Sequence, residues 1–273
     1  MACKYIEKIM NTMFMSSSSF ADVWNSQDSA YDEKQKGVKM NEVVVSILTF
    51  NKLEYTKKCI YSILENTTLP YHRIVVSDNN STDGTVEWLK GLGNNIRLIE
   101  NKENLGFAKA HNAVMQEYSY HDIVLMNNDI EVPPDWLKKL QEAVYSEYYG
   151  AVSPAIKVNN GLDVGAVLDS QARGRSLIND SITEPDWITG SCLYIKNSTI
   201  QRIGILDNFF NFYYEDVDYC IRMKKENIKF KCIQDVKVVH HNSVSTNPAQ
   251  KKFMMEESKK YFVEKHKHWL ATK

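Results

Sequence analysis

The chain has 273 residues with 33 Lys+Arg against 34 Asp+Glu, a formal net charge of −1, so nothing draws it as a whole toward nucleic acid. At 43 % hydrophobic and 25 % charged it can bury a sizeable core, and no apolar run approaches the roughly 20 residues needed to span a bilayer. Cys3, Cys59, Cys192, Cys220 and Cys232 are dispersed without C-x-x-C spacing, which fits reduced thiols in a cytoplasm better than a disulfide framework.

Residues 1–40 differ from the rest. Met10, Met13 and Met15 precede Ser16-Ser17-Ser18-Ser19 and a polar stretch through Lys34, Lys36 and Lys39. Lys4 and Lys8 are not followed by a continuous apolar segment, so no secretory signal is expected. The expectation is an N-terminal extension, helical or flexible, with docking to a partner or membrane surface as the alternative. A catalytic domain is expected over 41–250 and a basic amphipathic helix over 251–273.

From residue 42 a strand–helix alternation begins. Val43-Val44-Val45-Ser46-Ile47-Leu48 is a short apolar run rich in β-branched residues, the pattern of a strand buried on both faces of a parallel sheet. Tyr55, Cys59, Ile60, Ile63 and Leu64 recur at helical spacing. Ile74-Val75-Val76, Ile96-Arg97-Leu98-Ile99 and Ile123-Val124-Leu125-Met126 read as further strands. Val86, Leu89 and Leu92 mark a helix between the second and third, and Ala108 to Tyr118 one between the third and fourth. The pattern predicts an α/β fold with a mostly parallel central sheet flanked by helices.

Polar residues gather after each of these four strands: Thr49 and Asn51; Asp78, Asn79, Ser81 and Asp83; Asn101, Asn104 and Gly106; Asn127, Asn128 and Asp129. Ligands of open α/β sheets bind at the carboxyl ends of the strands, so the four clusters predict one crevice. Each cluster alone is more often a turn or a helix cap, and it is the coincidence of four that points to a crevice.

The second half is less regular. Ala151 to Asp186 has weak periodicity and several glycines, and irregular strands and loops over the sheet are expected there. Trp187 to Ile195 reads as strand, kink, strand. A short helix starts near Glu215, with Val217, Cys220 and Ile221 on one face. Ile228–Ile233 and Val236–Val239 read as two short strands.

Neither G-x-G-x-x-G after the first strand nor G-x-x-x-x-G-K-[ST] is present, so a nucleotide would be held by side chains. Asp78 and Asn79 suit the edge of a pyrimidine base, or a capped loop. Asp129, ending a buried strand, suits a hard divalent cation completed by phosphate oxygens, or a capped turn before Pro133-Pro134. Glu215-Asp216, after a run of aromatics, would present carboxylates at a helix N-terminus where a general base meets an acceptor hydroxyl. Asp218 is better placed to pair with Arg222 at i, i+4. His240-His241 ends a strand, as metal ligand or as structural residue.

Together these segments resemble the family 2 glycosyltransferases of GT-A fold. Val45 to Lys52 is similar to the family's first strand and loop. Val76-Ser77-Asp78-Asn79-Asn80-Ser81-Thr82-Asp83-Gly84-Thr85 resembles its VDNGSTDGT segment, with Ser77 for Asp and Asn80 for Gly. Asn104-Leu105-Gly106-Phe107-Ala108 with Asn112 resembles NLGFA…N, and Asn127-Asn128-Asp129 stands where the family has a D-x-D-type motif. Trp187-Ile188-Thr189-Gly190-Ser191-Cys192 resembles the acceptor-side segment, Glu215-Asp216-Val217-Asp218 the EDVD element, and the segment from Val239 to Thr246 the late H-x-G-G-x-S element. The resemblance runs in the family's order from about 42 to 246.

The resemblance implies an inverting, metal-dependent transfer of a hexosyl or deoxyhexosyl group from a UDP- or dTDP-type sugar to a hydroxyl, in polysaccharide or glycoconjugate assembly. Thr49, Asn51, Asp78, Asn79, Asn104, Gly106, Asn127 and Asn128 would hold the donor. Asp129 and His240 would hold Mn²⁺ or Mg²⁺. Trp187, Gly190 and Ser191 would face the acceptor, a saccharide, lipid-linked or protein molecule. Asp216 would be the base and Glu215 would position acceptor or sugar. The chain would work in the cytoplasm, and the seven lysines and interleaved aromatics of Lys251–Lys273 would form either a packed helix with a solvated basic face or a docking surface at the inner membrane face. A non-catalytic nucleotide-sugar-binding protein on the same fold is the alternative. A sugar-phosphate nucleotidyltransferase is disfavoured by the missing Gly-rich, basic first loop.

Overall fold

The β-branched run Val43–Thr49 (β1) is buried along its length except at Leu48, as expected of a strand covered on both faces. In the computed structural model, which describes residues 40–70, 72–181, 183–210, 212–242 and 248–273, β1 pairs in parallel with His72–Asp78 (β2) on one side and Asp122–Asn127 (β4) on the other. Arg97–Glu100 (β3) extends the parallel sheet beyond β2. Leu53–Asn66 (α1), Thr85–Lys90 (α2) and Gly106–Glu117 (α3) connect these strands. The buried Thr56, Cys59, Ile60 and Ile63 of α1 recur every three to four residues, which is the stripe that seats the helix on the sheet. The extension expected over 1–40 lies, apart from Met40, outside the described residues. Asn41–Lys273 form one compact unit, which includes the C-terminal helix.

The sheet order is β3-β2-β1-β4-β9-β6-β10-β5, where β5 is Ile130–Glu131, β6 Ala151–Val158, β9 Cys192–Ile195 and β10 Phe230–His240. The chain moves outward from β1 through β2 to β3, then crosses back to place β4 on the other side of β1. That reversal opens a crevice at the carboxyl ends of β1 and β4, the place where such sheets bind ligands.

The second half is more regular than its sequence suggests. Residues 151–186 are not loops over the sheet: β6 is built into it, between β9 and β10, and Gly161–Leu168 (β7) with Gly174–Ile178 (β8) forms a hairpin that branches from the end of β6. Pro154 inside β6 conceals the strand, because proline breaks a ladder. It is tolerated because β6 pairs with β9 only at Ala151 and Val152 and with β7 only from Ile156 onward. On the other side β10 shifts register between Ile233 and Lys237, opposite Pro154 and Ala155. The same bulge explains why one strand, β10, reads in sequence as two.

Trp136–Ser146 (α4) and Asn197–Ile203 (α5) complete the scaffold. Glu215–Lys225 (α6) has Glu215, Asp216 and Asp218 in its first turn and Arg222, Lys224 and Lys225 in its last, a distribution matched to the helix dipole. Pro248–Leu270 (α7) buries Ser258, Phe262, His266 and Leu270 and is kinked at His266. Phe262 and Leu270 pack with Leu168, Ala172, Phe210, Val217 and Ile221, tying α7 to α6 and to the β7–β8 hairpin. Among the described residues no helix is long and apolar enough to cross a membrane.

Candidate active site

The crevice at the β1/β4 reversal is a cleft of about 870 Å³. Its sheet side is lined by Leu48, Phe50, Asn79, Asn104 and Asn127-Asn128-Asp129. His240, at the end of β10, stands with Asp129 on that side, and the other side is lined by Trp187, Gly190, Ser191, Glu215 and Asp216. Eleven expected site residues therefore converge there from segments up to 161 positions apart (Asn79 to His240).

Thr49, Asn51, Asp78 and Gly106 stand outside this lining and hold its loops. Asp78 accepts from the Ser81 backbone N–H at 2.8 Å and from the Ser81 hydroxyl, closing the turn after β2. Asn51, in the left-handed region at φ 56°, accepts from Thr82 N–H at 2.8 Å. Thr49 is buried against Thr56, with the hydroxyls 3.0 Å apart. Asn128 donates to Thr56 Oγ1 at 2.8 Å and Thr49 Oγ1 at 3.1 Å, fastening the end of β4 to that of β1. Asn79 donates to Asn104 Oδ1 at 3.0 Å and accepts from Asn101 at 2.9 Å, so the loops after β2 and β3 share one amide network. Asn112 of the resemblance serves the scaffold: it accepts from Leu206 N–H and donates to the Leu206 carbonyl.

Asp129, 5 % exposed, has Oδ1 3.1 Å from His240 Nε2, and Asn127 Nδ2 lies 3.5 Å from the same nitrogen. His241 instead turns to Glu131, 2.5 Å away, and against the Tyr55 ring. Of the two histidines His240 therefore lines the cleft with Asp129. Among the described residues no group of three or more His, Cys, Asp or Glu side chains converges. One carboxylate and one imidazole fit a divalent cation whose remaining ligands would be phosphate oxygens and water.

Across the cleft, Asp216 Oδ2 accepts from Gly190 N–H at 2.8 Å and Oδ1 from Val217 N–H at 2.8 Å. Gly190 has to be glycine for this approach, since a Cβ there would lie 2.9 Å from Asp216 Cβ. Glu215 beside it is 8 % exposed and its Oε2 has no hydrogen-bond partner. Burial, then the neighbouring Asp216 charge, push the Glu215 carboxyl up to about 8. Burial also raises Asp216, but the two backbone N–H groups oppose the rise by favouring its ionised form. The helix N-terminus would favour ionised carboxylates by about 0.3–1 kcal/mol, less than one pKa unit, so at Glu215 desolvation wins.

The loop entering α6 is strained. Tyr213 and Tyr214 both sit in the left-handed region, at φ 68° and 69°, which costs non-glycine residues about 1–2 kcal/mol each. Ser258 of α7 donates to the Phe212 carbonyl at 2.9 Å, Tyr214 donates to the Ala172 carbonyl at 3.0 Å, and Lys251 lies 5.4 Å over the Tyr213 ring. One turn into α6, Asp218 is fully buried, with Arg222 Nε at 2.8 Å, His266 Nε2 at 2.8 Å and Lys265 Nζ at 2.6 Å. Burial raises its carboxyl, but His266, Arg222 and Lys265 together hold it down to about 2. The i, i+4 pair with Arg222 is the one its sequence spacing suggests.

Sequence reasoning did not assign to the cleft Leu168, Ala172 and Gly174 of the β7–β8 hairpin, or Lys251, Met254 and Met255 of α7. Glycines packed under Trp187 are the available signal for the hairpin: a Cβ on Gly174 would lie 2.4 Å from that ring. Nothing local marks the start of α7, whose part in the cleft comes from its packing on α6.

Residues 44–213 match Glycosyl transferase family 2. A low-salt glycan biosynthesis hexosyltransferase, Agl10, of Haloferax volcanii is 26 % identical over 214 residues, covering 73 % of this chain and 68 % of that protein. An N-acetylglucosaminyl-diphospho-decaprenol L-rhamnosyltransferase of Mycobacterium tuberculosis is 25 % identical over 237 residues, covering 72 % and 76 %. Among solved structures, GalNAc-T7 with UDP, GalNAc and Mn²⁺ superposes with a TM-score of 0.68 at 13 % identity, over 84 % of this chain and 48 % of that one. The mannosyltransferase PcManGT of Pyrobaculum calidifontis, with GDP-Man and Mn²⁺, gives 0.58 at 18 % identity, over 78 % and 61 %. This chain thus spans about half to three-fifths of those two structures, whose likeness establishes the GT-A fold. The chain belongs to glycosyl transferase family 2 and is a glycosyltransferase of glycan biosynthesis.

Proposed function

We propose that the protein transfers a hexosyl or deoxyhexosyl group, with inversion, from a uridine or thymidine diphosphate sugar to a hydroxyl of a lipid-linked saccharide. The observation that carries the reading is Asp216: a carboxylate fixed by Gly190 N–H in the cleft wall, facing the side that bears Asp129 and His240. The acceptor oxygen attacks the anomeric carbon as Asp216 takes its proton. The bond from that carbon to the phosphate oxygen breaks, and the nucleoside diphosphate leaves with the electron pair. Asn79, Asn104, Asn127 and Asn128 orient the donor, while Thr49, Asn51, Asp78 and Gly106 hold the loops that carry them. Mn²⁺ or Mg²⁺, bound by Asp129 and His240, would offset charge on the leaving diphosphate.

Apolar surface beside the cleft supports a lipid-linked acceptor at the inner membrane face. Phe253 is 66 % and Met255 39 % exposed, next to Lys251 and Lys252 and to the cleft-lining Met254. Trp187, Gly190 and Ser191 form the wall such an acceptor would meet. The test is a screen of UDP- and dTDP-sugars with Mn²⁺, followed by Asp216→Asn in the active combination. Transfer should fall by about 10²–10⁴-fold with donor affinity kept. Full activity in that variant would sink the base role.

A further inference from the structure

Glu215 is the cleft residue whose chemistry the transfer reaction leaves unused. It is 8 % exposed, its carboxyl takes a hydrogen bond from its own backbone N–H, and Oε2 faces no partner. No ion pair among the described residues includes it, whereas Asp218, three residues further along α6, has Arg222, Lys265 and His266 within 2.8 Å. The titratable groups around it are Asp216 on its own helix, Tyr213 in the preceding loop, and Asp129, His240 and Lys251 elsewhere on the cleft wall. Lys251, the lysine on the cleft wall, lies over the Tyr213 ring. Two adjacent carboxyls in one pocket cannot both ionise cheaply, and the backbone decides between them. Asp216 receives N–H groups from Gly190 and Val217, which suit a carboxylate. Glu215 has an oxygen with nothing donating to it, which suits an O–H.

We propose that Glu215 acts as an un-ionised acid whose Oε2–H donates a hydrogen bond to an uncharged oxygen of the bound saccharide, leaving Asp216 as the carboxylate of the pair. This rests on the glycosyltransferase reading and deepens it. One helix turn then carries a donor and a proton acceptor side by side. Glu215 grips a ring oxygen, which an ionised carboxylate could not hydrogen-bond, or a hydroxyl, which an ionised carboxylate could meet only as acceptor. The burial that raises the carboxyl to about 8 keeps it in the donating form across the neutral range, and activity is lost as pH rises through that value.

The first measurement is carbon-13 NMR of the glutamate carboxyls, with Glu215 assigned by its loss in Glu215→Gln. A midpoint near 8 is expected; a midpoint below about 6, close to that of ordinary glutamates, overturns the proposal. The second is kcat/KM against pH at saturating Mn²⁺. The wild type should lose activity on the alkaline side. Glu215→Gln, which keeps a donor and cannot ionise, should lose that limb and fall at most about fivefold at neutral pH, against about 10–100-fold for Glu215→Ala. Equal losses in Gln and Ala, or an alkaline limb unchanged in Gln, overturn it. Asp216→Asn, assayed beside them, separates the two readings: if it abolishes transfer while Gln and Ala behave alike, the glycosyltransferase mechanism stands and the Glu215 proposal alone fails.

Discussion

The two halves of this molecule are built by different kinds of contact. In the donor half, β1, β2 and β4 are parallel and mostly buried, β3 is a more exposed edge, and the strand-end loops are closed by turns such as Asp78 to Ser81 and tied to one another by Asn79 to Asn104 and Asn128 to Thr49. In the acceptor half, the decisive contacts join distant segments: Gly190 to Asp216, Asp218 to His266 and Ser258 to Phe212. A change in the first half should stay within the neighbouring strand-end loops, whereas one in the second should reach α7 or the far cleft wall.

The largest expected effect tests that directly. Removing Asp218 leaves Arg222, Lys265 and the buried His266 without their common partner, so that α6 is held to α7 by Phe262 and Leu270 packing and by Lys225 beside His266. Breaking a buried pair of this kind costs about 3–5 kcal/mol, so Asp218→Ala should lower the unfolding free energy measured in urea by that amount and take activity with it. A loss under about 1 kcal/mol, typical of exposed pairs, would show that α7 is not what holds the catalytic helix.

Gly190→Ala should be smaller in stability and specific to chemistry. Its Cβ would stand 2.9 Å from Asp216 Cβ and 3.3 Å from Oδ2, so the carboxylate must move. Displacement of a catalytic group by about 1 Å costs roughly 10²-fold, which should appear in kcat while donor affinity is unchanged. A wild-type kcat would mean that the acceptor half adapts, contrary to the comparison.

The donor half has one buried liability of its own. His111 on α3 is fully buried, with Nδ1 2.8 Å from Ser46 Oγ of β1 and Nε2 unpartnered. Burial lowers its pKa to about 3. Because the folded value lies below the unfolded one of about 6.5, the unfolded chain binds the extra proton between the two. The stability linked to neutral His111 is complete above about pH 6.5 and declines by roughly 1.4 kcal/mol per pH unit as pH falls toward 3. Urea unfolding of His111→Gln should show a shallower loss between pH 7 and 5 than the wild type; parallel curves would assign the acid sensitivity elsewhere.

The same contrast explains what the sequence could disclose. The strands of the donor half are visible because burial on both faces writes continuous apolar runs, and their ends are visible because turn chemistry is local. The α6 carboxylates are visible for the same reason, as acidic residues opening a helix. β6 was hidden because Pro154 occupies a gap between ladders that only the fold creates, and the cleft wall from Lys251, Met254 and Met255 was hidden because α7 reaches it through Phe262 and Leu270 packing. Direct lining and loop support were also indistinguishable in sequence: Asn79 and Asp78 are neighbours, yet the first lines the cleft and the second closes the turn behind it.

Asn80 gives the smallest and most local test. It stands where the family resemblance has glycine, its side chain is exposed, and its φ is 69°. The position therefore asks for left-handed backbone and little else, a conformation that asparagine tolerates better than most residues. Asn80→Ala should cost about 1 kcal/mol through backbone strain, and Asn80→Gly should change stability by less than about 0.5 kcal/mol. Because Asp78 to Ser81 closes the turn around it, any effect on activity should enter through donor affinity and leave kcat alone. If Asn80→Gly instead altered kcat while donor affinity held, the loop after β2 would be coupled to Asp216 across the cleft, and the division between a locally determined half and a globally determined one would fail at its simplest point.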